Sequence, residues 1–162
     1  MDKHAILELV VLKLQDQMTA TTQGLDRVRQ GAIDAPGAMQ SKSDTTKVEL
    51  GRVADQLLEV IDQRRREADA LREFAAGLKS GICTAVGVGA LAYIEIDGTE
   101  EQTFFFLPAA AGMQLEVDGA PVQIVSMDAP ITKNLLGRRA GDTITVPISR
   151  GVTRTYYIIS LI

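Results

Sequence analysis

Leu7, Val11, Leu14, Met18, Thr21, Leu25 and Val28 stand at alternating steps of four and three, and that spacing limits what the chain can fold into more than any other feature. Residues so placed return to one side of an α-helix every two turns and make a seam that a second helix must cover. A first helix is expected over residues 3–29. Residues 30–43 contain Gly31, Pro36 and Gly37 among small polar side chains, a composition that interrupts a helix and predicts a turn. A second series, Leu50, Val53, Leu57, Val60, Arg64, Glu67, Leu71, Phe74 and Leu78, repeats the steps of three and four with two polar interruptions. Helix two therefore packs back on helix one. About thirty helical residues at ~1.5 Å each make an arm of roughly 45 Å, long enough to reach into another molecule. The plainer alternative is a helical hairpin that serves only dimerisation or spacing.

Near residue 80 the character of the chain changes, from charge and helix formers to β-branched residues, glycines and prolines. Residues 90–96, 102–107, 122–126, 143–148 and 155–161 read as short strands, with Asp97-Gly98 and Asp118-Gly119 as tight turns. Residues 129–136 have a proline near the start and Gly137 after the end, the asymmetry of a short helix. The expected class is α+β, with a helical hairpin over residues 1–80, its tip near 30–45, and a compact β-rich domain over 81–162.

Seventeen basic against twenty-one acidic residues give a net charge of −4. That balance argues against a broad phosphate-tracking surface, so no direct sequence-specific nucleic-acid binding is expected. Cys83 is the single cysteine, which excludes an intrachain disulfide and a cysteine-rich metal site and fits a reducing compartment. The apolar stretch 5–14 is broken by Glu8 and Lys13, and no run is long enough to span a bilayer. Cytoplasmic localisation without a membrane partner is expected. His4 has no histidine or cysteine at metal-ligand spacing and reads as a surface residue, while Cys83, among small and apolar residues, reads as structural.

Residues 125–142, Val-Ser-Met-Asp-Ala-Pro-Ile-Thr-Lys-Asn-Leu-Leu-Gly-Arg-Arg-Ala-Gly-Asp, followed by 143–147 and 156–160, resemble the carboxy-terminal signature of the GreA/GreB family. Pro130-Ile131, Leu135-Leu136-Gly137 and Gly141-Asp142 carry the likeness as a group. Each pair also has a structural reading: Pro130 starts a helix, Gly137 ends it, Gly141-Asp142 turns the chain and the leucines fill the core. The resemblance implies an antiparallel coiled-coil hairpin followed by an FKBP-like α+β domain. It further implies a bacterial RNA-polymerase-binding elongation factor without catalytic activity of its own. The small domain would dock at the rim of the secondary channel, and the hairpin would enter it to assist cleavage of backtracked transcripts. An alternative within the family is a regulator that occupies the channel without stimulating cleavage. A peptidyl-prolyl isomerase, suggested by the FKBP-like fold, rests on fold analogy alone.

The family's tip carries a Gly-Asp-Leu-x-Glu-Asn-Ala-Glu-like sequence, and Ser43-Asp44-Thr45-Thr46-Lys47-Val48-Glu49 stands at its place. Asp44 matches the aspartate, and Lys47 replaces the glutamate three residues on. A lysine there repels a divalent cation. Asp44, Glu49 and Asp34 are the acidic tip candidates, with Asp44 the candidate ligand of a Mg²⁺ shared with the polymerase, since hard cations take carboxylate oxygens. The plainer reading of Asp44 is a helix N-cap, since Ser43 and Asp44 precede the second helix. No tightly bound cofactor is expected. Arg64-Arg65-Arg66 and Arg72, interleaved with Glu67, Asp69 and Glu73, read as a salt-bridged solvated face. Phe104, Phe105, Phe106, Asp128 and Pro130 are the docking candidates. The alternative for the phenylalanines is a strand buried on both sides.

Overall fold

In a computed structural model the backbone is described for residues 1–34, 41–149 and 151–162, and side chains for these apart from 41–46, 148 and 149. The element order is that of an α+β chain, two long helices followed by a six-stranded sheet with one short helix. The chain divides into two compact units, Leu12–Asp69 and a discontinuous one that joins Met1–Val11 to Ala70–Ile162.

Helix α1 spans Lys3–Asp34 and α2 spans Ser41–Gly77. Both run further toward their connection than the sequence predicts. An exposed glycine inside a helix costs only about 1 kcal/mol, so Gly31 does not stop α1 at residue 29. In the unit Leu12–Asp69 the first stripe lies as spaced, with Leu14 and Leu25 buried and Met18, Thr21 and Val28 half-buried.

On α2 the stripe keeps its rhythm but changes register. Val53 and Val60 are 40% and 44% exposed, whereas Ala54 and Ile61 are half-buried and Ala68 is fully buried. The inward series is therefore Leu50, Ala54, Leu57, Ile61, Arg64 and Ala68. Val53 and Ala54 flank Leu50 and Leu57 at equivalent helical steps, so periodicity alone could not choose between them.

In the discontinuous unit, Ile6, Leu7 and Val10 of the first segment and Leu71 of α2 are buried. The strands are β1 (Leu91–Ile96), β2 (Glu100–Leu107), β3 (Gln114–Val117), β4 (Ala120–Ser126), β5 (Thr143–Ser149) and β6 (Val152–Leu161), in the spatial order β3-β4-β2-β1-β6-β5. All neighbours are antiparallel except β2 and β4. Asp97 and Gly98, and likewise Asp118 and Gly119, have positive φ at both central positions, the geometry that matches a hairpin turn to the twist of its strands. The second of these turns closes β3 onto β4. β3 escaped the sequence reading because Gln-Leu-Glu-Val is too short and too polar to register as a strand, although a hairpin turn requires two arms.

Helix α3 (Pro130–Leu135) follows β4 and sets Leu135 and Ile131 against the sheet. Thr132 is buried and its Oγ1 donates to the Ser126 carbonyl at 2.7 Å. After α3, Asp142 accepts from the Arg139 amide through its side chain and from the Ile158 amide through its carbonyl, fastening the turn into β5 and β6. The sheet buries both faces in its middle. Ile94, Phe104, Phe106, Val125 and Ile158 form one core cluster, while Phe105, which strand alternation turns to the opposite side, is also 0% exposed. Near that strand the end of α2 packs on the backbone at Gly89, where an added Cβ would stand 2.9 Å from Leu78 Cδ1 and 3.2 Å from Phe74 Cζ. No helix among the described residues is long and apolar enough to cross a membrane.

Candidate functional site

The acidic candidates fall at the two helix ends that face the connection. Asp34 is the last residue of α1 and not a turn residue, and its Oδ1 accepts from Gln30 Nε2 at 2.9 Å. α2 begins three residues ahead of Asp44, which removes the N-cap reading; the Asp44 side chain itself lies outside the described residues. Lys47 and Glu49 are exposed on α2. Residues three apart on a helix are surface neighbours, so position 47 presents its lysine one turn from position 44. Positions 44 and 49, five apart, diverge around the axis. Among the described residues no three His, Cys, Asp or Glu side chains come together as a metal cluster.

Further along α2 the basic run behaves as a solvated face. Arg64 donates to Glu67 at 2.8 Å, one turn on, and Arg65 and Arg66 are exposed. His4 is half-buried and not a plain surface residue, its backbone amide donating to Asp2 Oδ1 at 3.0 Å.

The docking candidates divide. Phe104, Phe105 and Phe106 are 5%, 0% and 0% exposed, so none offers a surface patch, and the rings of Phe104 and Phe106 meet edge to face at 6.5 Å. They belong to the core because β2 is buried on both faces, with Leu135 of α3 in the cluster that holds Phe104 and Phe106. Asp128 and Pro130 are exposed at the start of α3. Beside them the sequence reading misplaced one residue: Leu136, expected in the core, is 53% exposed. A helix of six residues turns only one face to the sheet, and Thr132 and Leu135 occupy it. Leu136 sits just past the last turn and points outward together with Lys133 and Arg138. Asp128, Pro130, Lys133 and Leu136 thus make a mixed charged and apolar surface on a rigid support, as recognition surfaces do. A helix shorter than two turns was the signal that could have exposed Leu136.

A shallow groove of about 290 Å³ lies where β1, β2 and the β3–β4 turn meet, lined by Tyr93, Glu101, Thr103, Gly119, Pro121 and Ile159 among others. Burial, with a smaller contribution from the Asp118 carboxylate, raises the Tyr93 phenol above its ordinary 10.0. At neutral pH the phenol is therefore a hydrogen-bond donor and not a base.

The family model "Transcription elongation factor, GreA/GreB, C-term" matches residues 83–162. No curated protein matches the chain. Among solved structures, the GreA factor homolog 1 (Gfh1) protein of Thermus thermophilus is similar at 18% identity, with 98% of this chain and 93% of that one covered and a TM-score of 0.37. A structure of the transcription factor Gfh1 is similar at 19% identity over 98% and 92%, with a TM-score of 0.38. The prokaryotic transcription elongation factor GreA/GreB from Nitrosomonas europaea shares 20% identity over 58% of this chain and 78% of its own, with a TM-score of 0.37.

Proposed function

We propose, from the premise that this is a Gre-like chain whose residues 83–162 form a GreA/GreB carboxy-terminal domain, that the protein is a transcription elongation factor that binds bacterial RNA polymerase. The observation that carries the reading is that family match, which takes in all six strands and α3 and follows a long helical hairpin. In this reading the surface of Asp128, Pro130, Lys133 and Leu136 docks on the polymerase. The hairpin enters the secondary channel, with the connection between α1 and α2 leading.

Two modes follow from what the hairpin carries. In the first, Asp44 would lend a carboxylate to a Mg²⁺ held mainly by polymerase ligands, and the ion would supply activation of water for hydrolysis of a backtracked transcript. The factor's carboxylates make no cage by themselves, so the ion would be shared. In the second, the hairpin fills the channel without promoting cleavage. Lys47, one helical turn from Asp44, favours this second mode, because its charge opposes a further cation there.

RNA cleavage by a stalled, backtracked bacterial polymerase separates the modes. Stimulation by the wild-type chain that Asp44→Ala abolishes supports the first. Binding without stimulation, with cleavage gained in Lys47→Glu, supports the second. A chain that does not bind polymerase at all would sink the proposal. Asp128→Arg and Leu136→Asp are expected to weaken binding at least tenfold without unfolding the protein, read by titration and by circular dichroism.

A further inference from the structure

Lys3, in the first turn of α1, is only 3% exposed. Its Nζ donates to the Gly81 carbonyl at 3.2 Å and stands 3.7 Å from Cys83 Sγ. Among the described residues no carboxylate pairs with it. That is an uncommon position for a lysine, because removing an ammonium from water without a counter-charge is costly and lysines are seldom fully buried unpaired. Its nearest reactive neighbour is a thiol. Cys83 is half-buried at the edge of the core cluster, whereas Lys3 is almost fully screened from solvent. The pair brings an amine and a thiol from positions 80 residues apart into near contact. All three groups, Lys3, Gly81 and Cys83, belong to the discontinuous unit.

We propose that Lys3 and Cys83 form a redox modification site, in which a hydroperoxide joins them through a sulfenyl amide bond between Nζ and Sγ. The Cys83 thiolate attacks hydrogen peroxide: an S–O bond forms, the O–O bond breaks, and hydroxide leaves. That hydroxide takes a proton from the Lys3 ammonium, giving water and a free amine. The amine lone pair attacks the sulfenic sulfur, so that the S–N bond forms, the S–O bond breaks, and the departing oxygen leaves with the nitrogen's proton as a second water. Thiol, ammonium and peroxide thus become the linked pair, two waters and one proton. The peroxide is reduced by two electrons and the sulfur is oxidised by two. Burial favours the second step over further oxidation, because the nitrogen already lies at van der Waals range of the sulfur and competing peroxide must enter from outside. The product also removes an unpaired buried charge. A thiol reductant reverses it by attack at sulfur.

The test treats the full chain with hydrogen peroxide and reads intact mass, peptide map and unfolding temperature, before and after dithiothreitol. The expected wild-type product is lighter by two hydrogens, yields a single peptide joining Lys3 to Cys83, unfolds at a higher temperature and returns to the starting mass on reduction. Lys3→Arg keeps the positive charge but lacks the amine, and is expected to gain oxygen atoms on Cys83 instead. Cys83→Ser is expected to keep its Lys3 and residue-83 peptides unchanged, methionine oxidation being common to all three proteins and read at its own peptides. A wild-type mass that rises by whole oxygens, with no joined peptide, would overturn the proposal. The wild-type peptide map decides the matter even where a variant folds poorly.

Discussion

Three adjacent phenylalanines on one strand set a limit on what residue-level reading can decide. Alternation sends Phe104 and Phe106 to one side and Phe105 to the other, but whether the second side is wet depends on what lies over it. Here all three are buried, and Phe106→Ala is expected to cost about 3–5 kcal/mol in a denaturant titration; a loss under about 1 kcal/mol would mean the ring is not part of a packed core. Glycines show the same dependence on surroundings. Gly89 has φ +84 and faces the Leu78 and Phe74 side chains, so Gly89→Ala is expected to destabilise by about 1–3 kcal/mol through strain and overpacking. Gly51 lies inside α2 with nothing within 4 Å of an added Cβ, and Gly51→Ala should stabilise by about 0.5–1 kcal/mol. Thermal melts of the two variants should move in opposite directions. Tyr93 adds a pH dependence. Its phenol is raised in the folded chain, so the unfolded chain loses the proton first as pH climbs past 10.0. The contribution is intact below that value and lost as pH rises through the folded one. Wild type minus Tyr93→Phe stability, measured from neutral pH upward, should be flat and then fall above about 10.

At the scale of elements, sequence spacing found both long helices, five of the six strands and α3, because each carries a period or a punctuating residue of its own. It misassigned what depends on a partner. Val53 and Val60 fit a heptad as well as Ala54 and Ile61 do, and only the packing of α2 on its partner helix decides which set turns inward. Ile61→Ala is accordingly expected to cost about 1–2 kcal/mol, less than a full core deletion because the residue is half-buried, whereas Val60→Ala should stay within about 0.5 kcal/mol. Equal losses by chemical denaturation would return Val60 to the seam. The candidate site was legible to the same degree. Asp128 and Pro130 announce themselves by the turn chemistry at the start of α3. Leu136 does not, because an apolar residue after Leu135 looks like core until the helix is seen to be too short to bury both. The Lys3–Cys83 approach was invisible for a plainer reason, the 80 residues between them.

For the whole molecule, the unit that carries the family signature is not the stretch that the signature covers. The match begins at residue 83, yet the compact unit also includes Met1–Val11 and the end of α2, whose buried Ile6, Leu7, Val10 and Leu71 have no counterpart in a fragment cut at the match. A fragment of residues 83–162 is expected to unfold at a lower temperature than the same strands in the full chain, as calorimetry would read; equal temperatures would show that the helix ends add nothing. The discontinuity also sets an order of events during synthesis. The contacts of Leu12–Asp69 lie within one continuous stretch and can form as soon as that segment leaves the ribosome, whereas those that join Met1–Val11 to Ala70–Ile162 must wait for residues made later. Met1–Val11 is thus made before Leu12–Asp69 yet settles after it, so that a nascent chain would hold Ile6, Leu7 and Val10 uncovered while the two long helices are already pairing.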